Sequence, residues 1–471
     1  MSPLLTDLYQ LTMAYGYWRL GLHEREAVFH LSFRHAPFKG DYAIACGLAS
    51  VVDFLKEWHF SEDDLAYVAG LKASNDQPLF SSEFIHYLRN LTFTGDIDAI
   101  PEGTAVFANQ PLIRVKAPLL QGQMLESIIL NIINFQTLIA TKAARVCQAA
   151  EGDKVLEFGL RRAQGVDGAL SASRAAYIGG CDATSNVLAG KQFGIPVCGT
   201  HAHSWVTVFP NEITAFENMA RVLPGDCTLL VDTYDTIQGV KNAIEIGQKL
   251  KREGRCLAGI RLDSGDLVDL SIKARRLLDD AGFTNTQIVA SNNLDDVSIA
   301  LMKQQGAKIS AWGVGTRLAT AFDQPALDGV YKLSALRDER GVWKYKLKLS
   351  ETAAKVSHPG IGQIRRFTQS SQPLMDVLYD VEMGISERPN AILFESSQRR
   401  VPPVDAEWSD LLVPIFSKGK LICSLESIHD LRQRALSEVV QFSSSHSYPV
   451  SLEENLHRLK QQLISGLFSH D

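Results

Sequence analysis

Two histidines one residue apart, in Gly199-Thr-His-Ala-His-Ser204, follow the apolar run that begins at Ile195. An imidazole in such a place can serve as base, metal ligand or nucleophile. The pair is equally open to a reading in which one ring is a hydrogen-bonded structural group. No HExxH or comparable ligand spacing accompanies it, which argues against metal ligation. Arg261-Leu-Asp-Ser-Gly-Asp266 sets a guanidinium beside two carboxylates and a glycine. Arginine can fork a carboxylate or phosphate, and carboxylates can accept from ribose hydroxyls or hold Mg²⁺. The same residues also suit a solvated turn with a local ion pair. Gly313-Val-Gly-Thr316 offers backbone that can approach a phosphate closely. It is no dinucleotide fingerprint, because Leu318 stands where the third glycine belongs, and a plain tight turn fits it as well. Glu157-Phe-Gly-Leu-Arg-Arg162 adds an aromatic ring and two arginines, able to bind pyrophosphate or to sit in a surface salt bridge. Val231-Asp-Thr-Tyr-Asp235 supplies two more carboxylates with the same two readings.

Each cluster ends a short apolar run. The runs cover 154–162, 195–204, 227–235, 256–266, 286–293 and 308–316, and GVYKL (329–333) is one more candidate. Helix-like stretches at 211–222, 236–254, 267–282 and 294–306 separate most of them. The alternation predicts parallel βα units. Six or seven in succession suggest a barrel resembling the TIM fold, whose chemistry sits at the carboxyl ends of the strands. Five reactive clusters on one rim predict an enzyme, and a ligand with an anionic ring, a ribose and phosphates would use them all.

The flanking regions have a different texture. Up to about residue 145, TDLYQLTMAYGYW reads as a helix with Thr6 as N-cap, 27–34 alternates like a strand, 95–118 is strand material broken by turns, and 127–140 is an apolar helix. Beyond 334, WKYKLKLS (343–350) is strand-like, 452–468 is a charged helical tail, and SQPLM and SSSHS read as flexible loops. The net charge of −6 and pI of 6.1 give no basic excess of the kind nucleic-acid binders carry. Seven cysteines without a CxxC spacing exclude a disulfide framework and a zinc ribbon. The opening residues lack a basic leader before an apolar stretch. Asn131, Asn134 and Gln136 interrupt the apolar helix, which therefore predicts a buried element instead of a membrane span. The expectation is a soluble, cytoplasmic chain with neither nucleic-acid nor membrane partners.

Six segments, in order, resemble nicotinate phosphoribosyltransferases: TDLYQLTMAYGYW, EFGLRRAQG, GGCDATSNVLAGKQFGIPVCGTHAHSWV, GIRLDSGDL, SNNLDD and GVGTRL. They run from the first helix to about residue 333, and the remainder matches more loosely. The resemblance implies a type II phosphoribosyltransferase. Its fold would be an irregular TIM-like α/β barrel over 146–333, with a second α+β domain built from residues 1–145 and 334–471. It also implies roles. Tyr9 and Phe158 would sandwich the pyridine ring, since stacking orients a flat heterocycle. Thr200 would contact nicotinate and Arg261 would pair with its carboxylate. Asp263 would hold ribose hydroxyls, and Arg161, Gly313, Gly315 and Thr316 the phosphates. His203 matches the histidine that the family phosphorylates with ATP, and Asp232 the acid that orients it; His201 is its rival. The implied reaction joins nicotinate to phosphoribosyl pyrophosphate in NAD salvage, with ATP as co-substrate and Mg²⁺ carried on the pyrophosphate. A homodimer with shared sites is implied, Tyr9 reaching into the partner's. Asn186 stands where the nicotinamide-using relative has an acid, and a neutral side chain suits an anionic substrate better. That relative is the nearest rival reading. A catalytically silent barrel would be expected to lose His203, Arg261 or Asp263, and an aldolase would need a Schiff-base lysine at a strand end.

Overall fold

A computed structural model describes residues 2–223, 225, 227–349, 356–394, 396, 398–442 and 448–468. The chain forms two compact units. One comprises Ile139–Pro325 with Ile428–Leu436, the other Met1–Leu138, Ala326–Ser427 and Ser437–Asp471.

The first of these is built on a parallel sheet of β1 (Lys154–Glu157), β2 (Ala183–Thr184), β3 (Thr228–Leu230), β4 (Gly259–Leu262), β5 (Gln287–Ser291) and β6 (Ala311–Val314). Their spatial order is β2-β1-β6-β5-β4-β3, and every adjacent pair is parallel. Ile260, Leu262, Ala290, Trp312 and Val314 are fully buried. Near-continuous apolar strands of this kind are those covered on both faces by crossover helices. The helices Glu212–Val222, Thr236–Arg252, Leu267–Asp280 and Asp296–Gln304 start at Asn211, Asp235, Asp266 and Asp295. Each cap side chain accepts a backbone N–H of the first helical turn, which satisfies donors that a helix start leaves unpaired.

Two expected strands differ. The 195–204 run forms a single bridge, Val197 to Thr184, and then turns into the histidine loop. The strand beside β1 is instead the short Ala183–Thr184, a segment too brief to register as a periodic pattern. GVYKL lies within Gly329–Arg337, which pairs antiparallel with Glu26–Phe33 in the other unit's sheet. Among the described residues no ladder joins β2 to β3, so strand pairing leaves the sheet with two edges.

The other unit carries a seven-stranded antiparallel sheet, ordered Trp343–Tyr345, Gly329–Arg337, Glu26–Phe33, Ile113–Pro118, Asp96–Ala99, Val413–Ser417 and Lys420–Leu421. A six-stranded sheet accompanies it and contains the long hairpin Gly362–Gln369 and Gln372–Asp380. Arg366, buried on that hairpin, forks Asp376 at 2.9 Å through both Nε and Nη2 and reaches Glu438 at 3.1 Å. SQPLM therefore starts a strand instead of a loop, and WKYKLKLS, among its described residues, is a strand only over Trp343–Tyr345. SSSHS lies outside the described residues. The first helix spans Leu8–Arg19 with Asp7 at its N-cap, whose carboxylate accepts from the Ser127 hydroxyl at 2.6 Å. Thr6 does not cap it. Helix Glu126–Ala149 is long and apolar enough to cross a membrane, with a mean hydropathy of 1.2 over its most apolar window, but 72 % of that window is buried, as in a core helix.

Candidate active site

The carboxyl ends of β1, β3, β4, β5 and β6 bring the reactive residues together. At the end of β4, Arg261 donates through Nε to the Ser291 hydroxyl at 2.8 Å, through Nη1 to the Thr200 hydroxyl at 2.9 Å, and through Nη2 to Asp263 at 2.8 Å. Its guanidinium carbon lies 5.7 Å from the centroid of the Phe158 ring. A guanidinium has five N–H donors, so this clamp fixes its plane and leaves two for a ligand. Asp263 also accepts from the Ser291 hydroxyl, on the oxygen that meets Arg261. Burial opposes the Asp263 carboxylate, but the Ser291 hydroxyl and the Arg261 charge outweigh it and hold its pKa below the ordinary value.

Phe158 is fixed from behind by glycines. A Cβ on Gly313 would come within 2.7 Å of the Phe158 ring, and one on Gly315 within 3.1 Å of the Phe158 carbonyl oxygen. Gly313 and Gly315, expected as a phosphate cradle, thus first make room for the aromatic ring. Thr316 opens the short helix Thr316–Ala319 beside them. Glu157, only 1 % exposed, accepts from the Gly159 N–H, from Ser173 at 2.9 Å and from Thr184 at 2.6 Å, which ties β1 to β2. Arg161 and Arg162 follow in the exposed turn Leu160–Arg162. Neither forms an ion pair among the described residues, which leaves both free for an anion.

The two histidines have different surroundings. His201 Nε2 accepts the Leu230 N–H at 3.0 Å, and its Nδ1 faces the Ala202 carbonyl at 3.3 Å. A nitrogen that accepts a backbone N–H carries its lone pair there, so Nδ1 holds the proton. Burial, outweighing the Ala202 contact, keeps the ring below its ordinary pKa of 6.5. His201 is therefore a neutral cap on the edge of β3. His203 opens the short helix His203–Val208, with Nδ1 3.1 Å from the Thr233 hydroxyl and Nε2 3.8 Å from Asp263. Nε2 has no closer partner among the described residues.

Asp232 differs from its expected place as the orienter of His203. One of its oxygens accepts the Asp263 N–H at 2.9 Å and the Ser264 hydroxyl at 2.6 Å, and Thr233 is the residue that bonds the imidazole. The other oxygen is buried and has no hydrogen-bond partner among the described residues. Asp235 and Asp266 are helix caps. Asn186, 2 % exposed, caps helix Val187–Phe193 and donates to Ser173 at 3.2 Å. Tyr9 stands 48 % exposed on the first helix of the other unit. Sequence reasoning missed Ser291 and Thr233. Both hydroxyls stand at strand ends inside quoted motifs or runs, but Ser and Thr are too common in such turns to single out.

Three family models match the chain in sequence order: the nicotinate phosphoribosyltransferase N-terminal domain over residues 4–134, the nicotinate phosphoribosyltransferase family over 154–341, and its C-terminal domain over 363–460. Nicotinate phosphoribosyltransferase of Bacillus subtilis is 43 % identical, with 98 % of this chain and 95 % of the relative covered. The human protein of that name is 33 % identical, with 98 % and 97 % covered. The crystal structure of human nicotinic acid phosphoribosyltransferase superposes with a TM-score of 0.83 at 31 % identity, covering 97 % of this chain and 99 % of that one. A nicotinate-nucleotide pyrophosphorylase from Pyrococcus furiosus shares the fold, with a TM-score of 0.67 at 18 % identity over 94 % and 96 % of the chains. By these matches, along the whole length of a fold with a parallel sheet and flanking helices, the chain belongs to the nicotinate phosphoribosyltransferase family.

Proposed function

We propose that the protein joins nicotinate to 5-phosphoribosyl 1-pyrophosphate, giving nicotinate mononucleotide and pyrophosphate, in the first step of NAD salvage from nicotinate. The observation that carries this reading is the clamped Arg261 beside the Phe158 ring. An aromatic face next to a fixed cation with two free donors fits a flat ring bearing a carboxylate. The pyridine nitrogen attacks the anomeric carbon, and the bond from that carbon to pyrophosphate breaks. The attacking nitrogen carries no proton, so the catalytic contribution is positioning plus stabilisation of the departing charge. Asp263 accepts from the ribose hydroxyls. Arg161, Thr316 and the backbone of Gly313 and Gly315 receive the phosphates. Tyr9 closes the second face of the ring in a partner subunit's site within a homodimer.

ATP hydrolysis is coupled through His203. Its Nε2 takes the γ-phosphoryl group, ADP departs, and water later cleaves the P–N bond to release phosphate and the free imidazole. Thr233 holds the ring from the Nδ1 side. Mg²⁺ fits the site as a hard cation: Asp232 presents one buried oxygen without a hydrogen-bond partner among the described residues, and Mg²⁺ commonly uses one or two carboxylates and completes its shell with phosphates and water. When bound, it neutralises charge on the pyrophosphate. The reaction belongs to the cytoplasm.

The rival substrate is nicotinamide. Mononucleotide synthesis from labelled nicotinate should be unaffected by a tenfold excess of unlabelled nicotinamide. Strong competition by the amide would transfer the protein to the amide-using reaction.

A further inference from the structure

Two cysteines that play no part in the Arg261 cluster meet in the unit with the parallel sheet. Cys147 stands in the last turn of helix Glu126–Ala149, and Cys181 precedes Asp182 and β2. In the chain, β1, the Phe158 turn and helix Val166–Ile178 lie between them.

Glycine backbone brings the pair together. Gly179 and Gly180 follow helix Val166–Ile178. A Cβ on Gly179 would strike the Ala140 carbonyl oxygen and come within 2.7 Å of the Ala143 Cβ. Gly180 has a φ of +120°, and a Cβ there would lie 3.3 Å from Cys147 Sγ and 3.4 Å from Cys147 Cβ. Ala140, Ala143 and Cys147 share one helix face, so the glycine corner sits directly on that face. Arg432 holds the corner in place. It donates to the carbonyl oxygens of Gly180 at 2.8 Å and Cys181 at 3.0 Å, and to Asp182 at 2.9 Å. The other Asp182 oxygen accepts the Val155 N–H at 2.8 Å, which ties the corner to β1. The Cys181 side chain is hydrogen-bonded to Cys147. Sulfurs in such contact need only a short movement to reach the ~2.05 Å of a disulfide.

The two thiols differ in access. Cys147 is partly exposed, whereas Cys181 has no exposed surface. The bond to Cys147, burial and the nearby Glu157 and Asp182 carboxylates push the Cys181 thiol well above its ordinary pKa. An incoming reagent therefore meets Cys147 first.

We propose that Cys147 and Cys181 form a modification site for low-molecular-weight disulfides such as oxidised glutathione, with Cys147 as the attacking sulfur and Cys181 as the resolving one. The Cys147 thiolate attacks one glutathione sulfur, and the first glutathione leaves and takes a proton. Cys181 then loses its proton and attacks the Cys147 sulfur, and the second glutathione leaves with that proton. Two protein thiols are oxidised by two electrons, and one glutathione disulfide is reduced to two thiols. In a reducing compartment such a bond is transient and redox-sensing. It closes a loop around β1 and the Phe158 turn, which restricts the unfolded chain and stabilises the folded one.

The test maps thiols in the full-length protein. After incubation with oxidised glutathione, acid quench and alkylation, non-reducing peptide mass spectrometry should find a peptide pair joining Cys147 to Cys181, lost on adding dithiothreitol. In Cys181→Ala, Cys147 should instead accumulate the glutathione adduct. In Cys147→Ser, Cys181 should stay unmodified while the exposed Cys198 is loaded. A persistent glutathione adduct on Cys147 in the parent protein, an adduct on Cys181 in Cys147→Ser, or an unmodified pair beside a fully loaded Cys198 overturns the proposal. A second readout is thermal. Oxidation should raise the Tm of the parent protein, reversibly with dithiothreitol, and the rise should be absent in Cys181→Ala; an equal rise in that variant also overturns it. Neither readout depends on catalysis, so failure here leaves the reaction proposed above untouched.

Discussion

At the residue scale, the two histidines make separable predictions. His203→Ala should abolish the stimulation of mononucleotide synthesis by ATP, and incubation with γ-labelled ATP should leave no acid-labile label on it. His201→Phe should keep that label. It should instead lower stability by about 1–3 kcal/mol, the cost of an unpaired buried backbone donor at Leu230. Urea titration gives the number, and loss of the label in His201→Phe with retention in His203→Ala would reverse the assignment. Arg261→Ala should raise KM for nicotinate more than KM for phosphoribosyl pyrophosphate, by a penalty on the order of 2–5 kcal/mol for a lost buried charge pair. An unchanged nicotinate KM would remove Arg261 from that role. The motifs themselves displayed His203, Arg261 and Asp263. The reason for choosing His203 over His201 was hidden, because it lies in a backbone N–H on another strand.

At the scale of elements, the sequence showed helices more faithfully than strand ends. The helices Glu212–Val222, Thr236–Arg252, Leu267–Asp280 and Asp296–Gln304 start within two residues of the apolar periodicity because Asn211, Asp235, Asp266 and Asp295 announce them. Among these caps, the carboxylates of Asp235 and Asp266 were ambiguous as chemistry. A cap and a ligand-binding acid share residue type and place, so only the accepted backbone N–H tells them apart. Asp266→Ala should thus cost about 1 kcal/mol of stability and leave both substrate KM values in place; a selective rise in KM for phosphoribosyl pyrophosphate would return Asp266 to the site. Ala183–Thr184 and the bridge at Val197 escaped detection because two-residue pairings have no periodicity. The role of Gly313 was legible only as a need for close approach. Gly313→Ala would place a methyl 2.7 Å from the Phe158 ring, so Phe158 must shift, and affinity for nicotinate should fall more than thermal stability does.

At the scale of the whole molecule, the buried charges carry a pH signature. Lys142 has no exposed surface and donates to Asp296 and Asp323, while Arg145 donates to the other Asp296 oxygen at 2.9 Å. Burial opposes ionisation of Asp296, but Lys142 and Arg145 prevail and hold its pKa below 3.8. A carboxylate depressed in the folded state stabilises at pH above its unfolded value, and that stability is lost as pH falls through the folded value. The unfolding free energy should therefore drop on acidification below about pH 4, and Asp296→Asn should flatten the profile in that window while costing about 3–5 kcal/mol at neutral pH. A steep acid limb retained in Asp296→Asn would place the effect elsewhere. Lys142 sits inside the apolar helix Glu126–Ala149, where its sequence neighbours gave no hint of partners more than a hundred residues away. The long-range pairing of Glu26–Phe33 with Gly329–Arg337 was illegible for the same reason: periodicity marks an element and leaves its neighbour unstated.

The most direct measurement is formation of mononucleotide from labelled nicotinate and phosphoribosyl pyrophosphate, with and without ATP. Nicotinate mononucleotide is expected in both cases, at a faster rate with ATP and with stoichiometric release of pyrophosphate. Absence of mononucleotide under either condition would contradict this, and leave a chain that keeps the family's fold without its reaction.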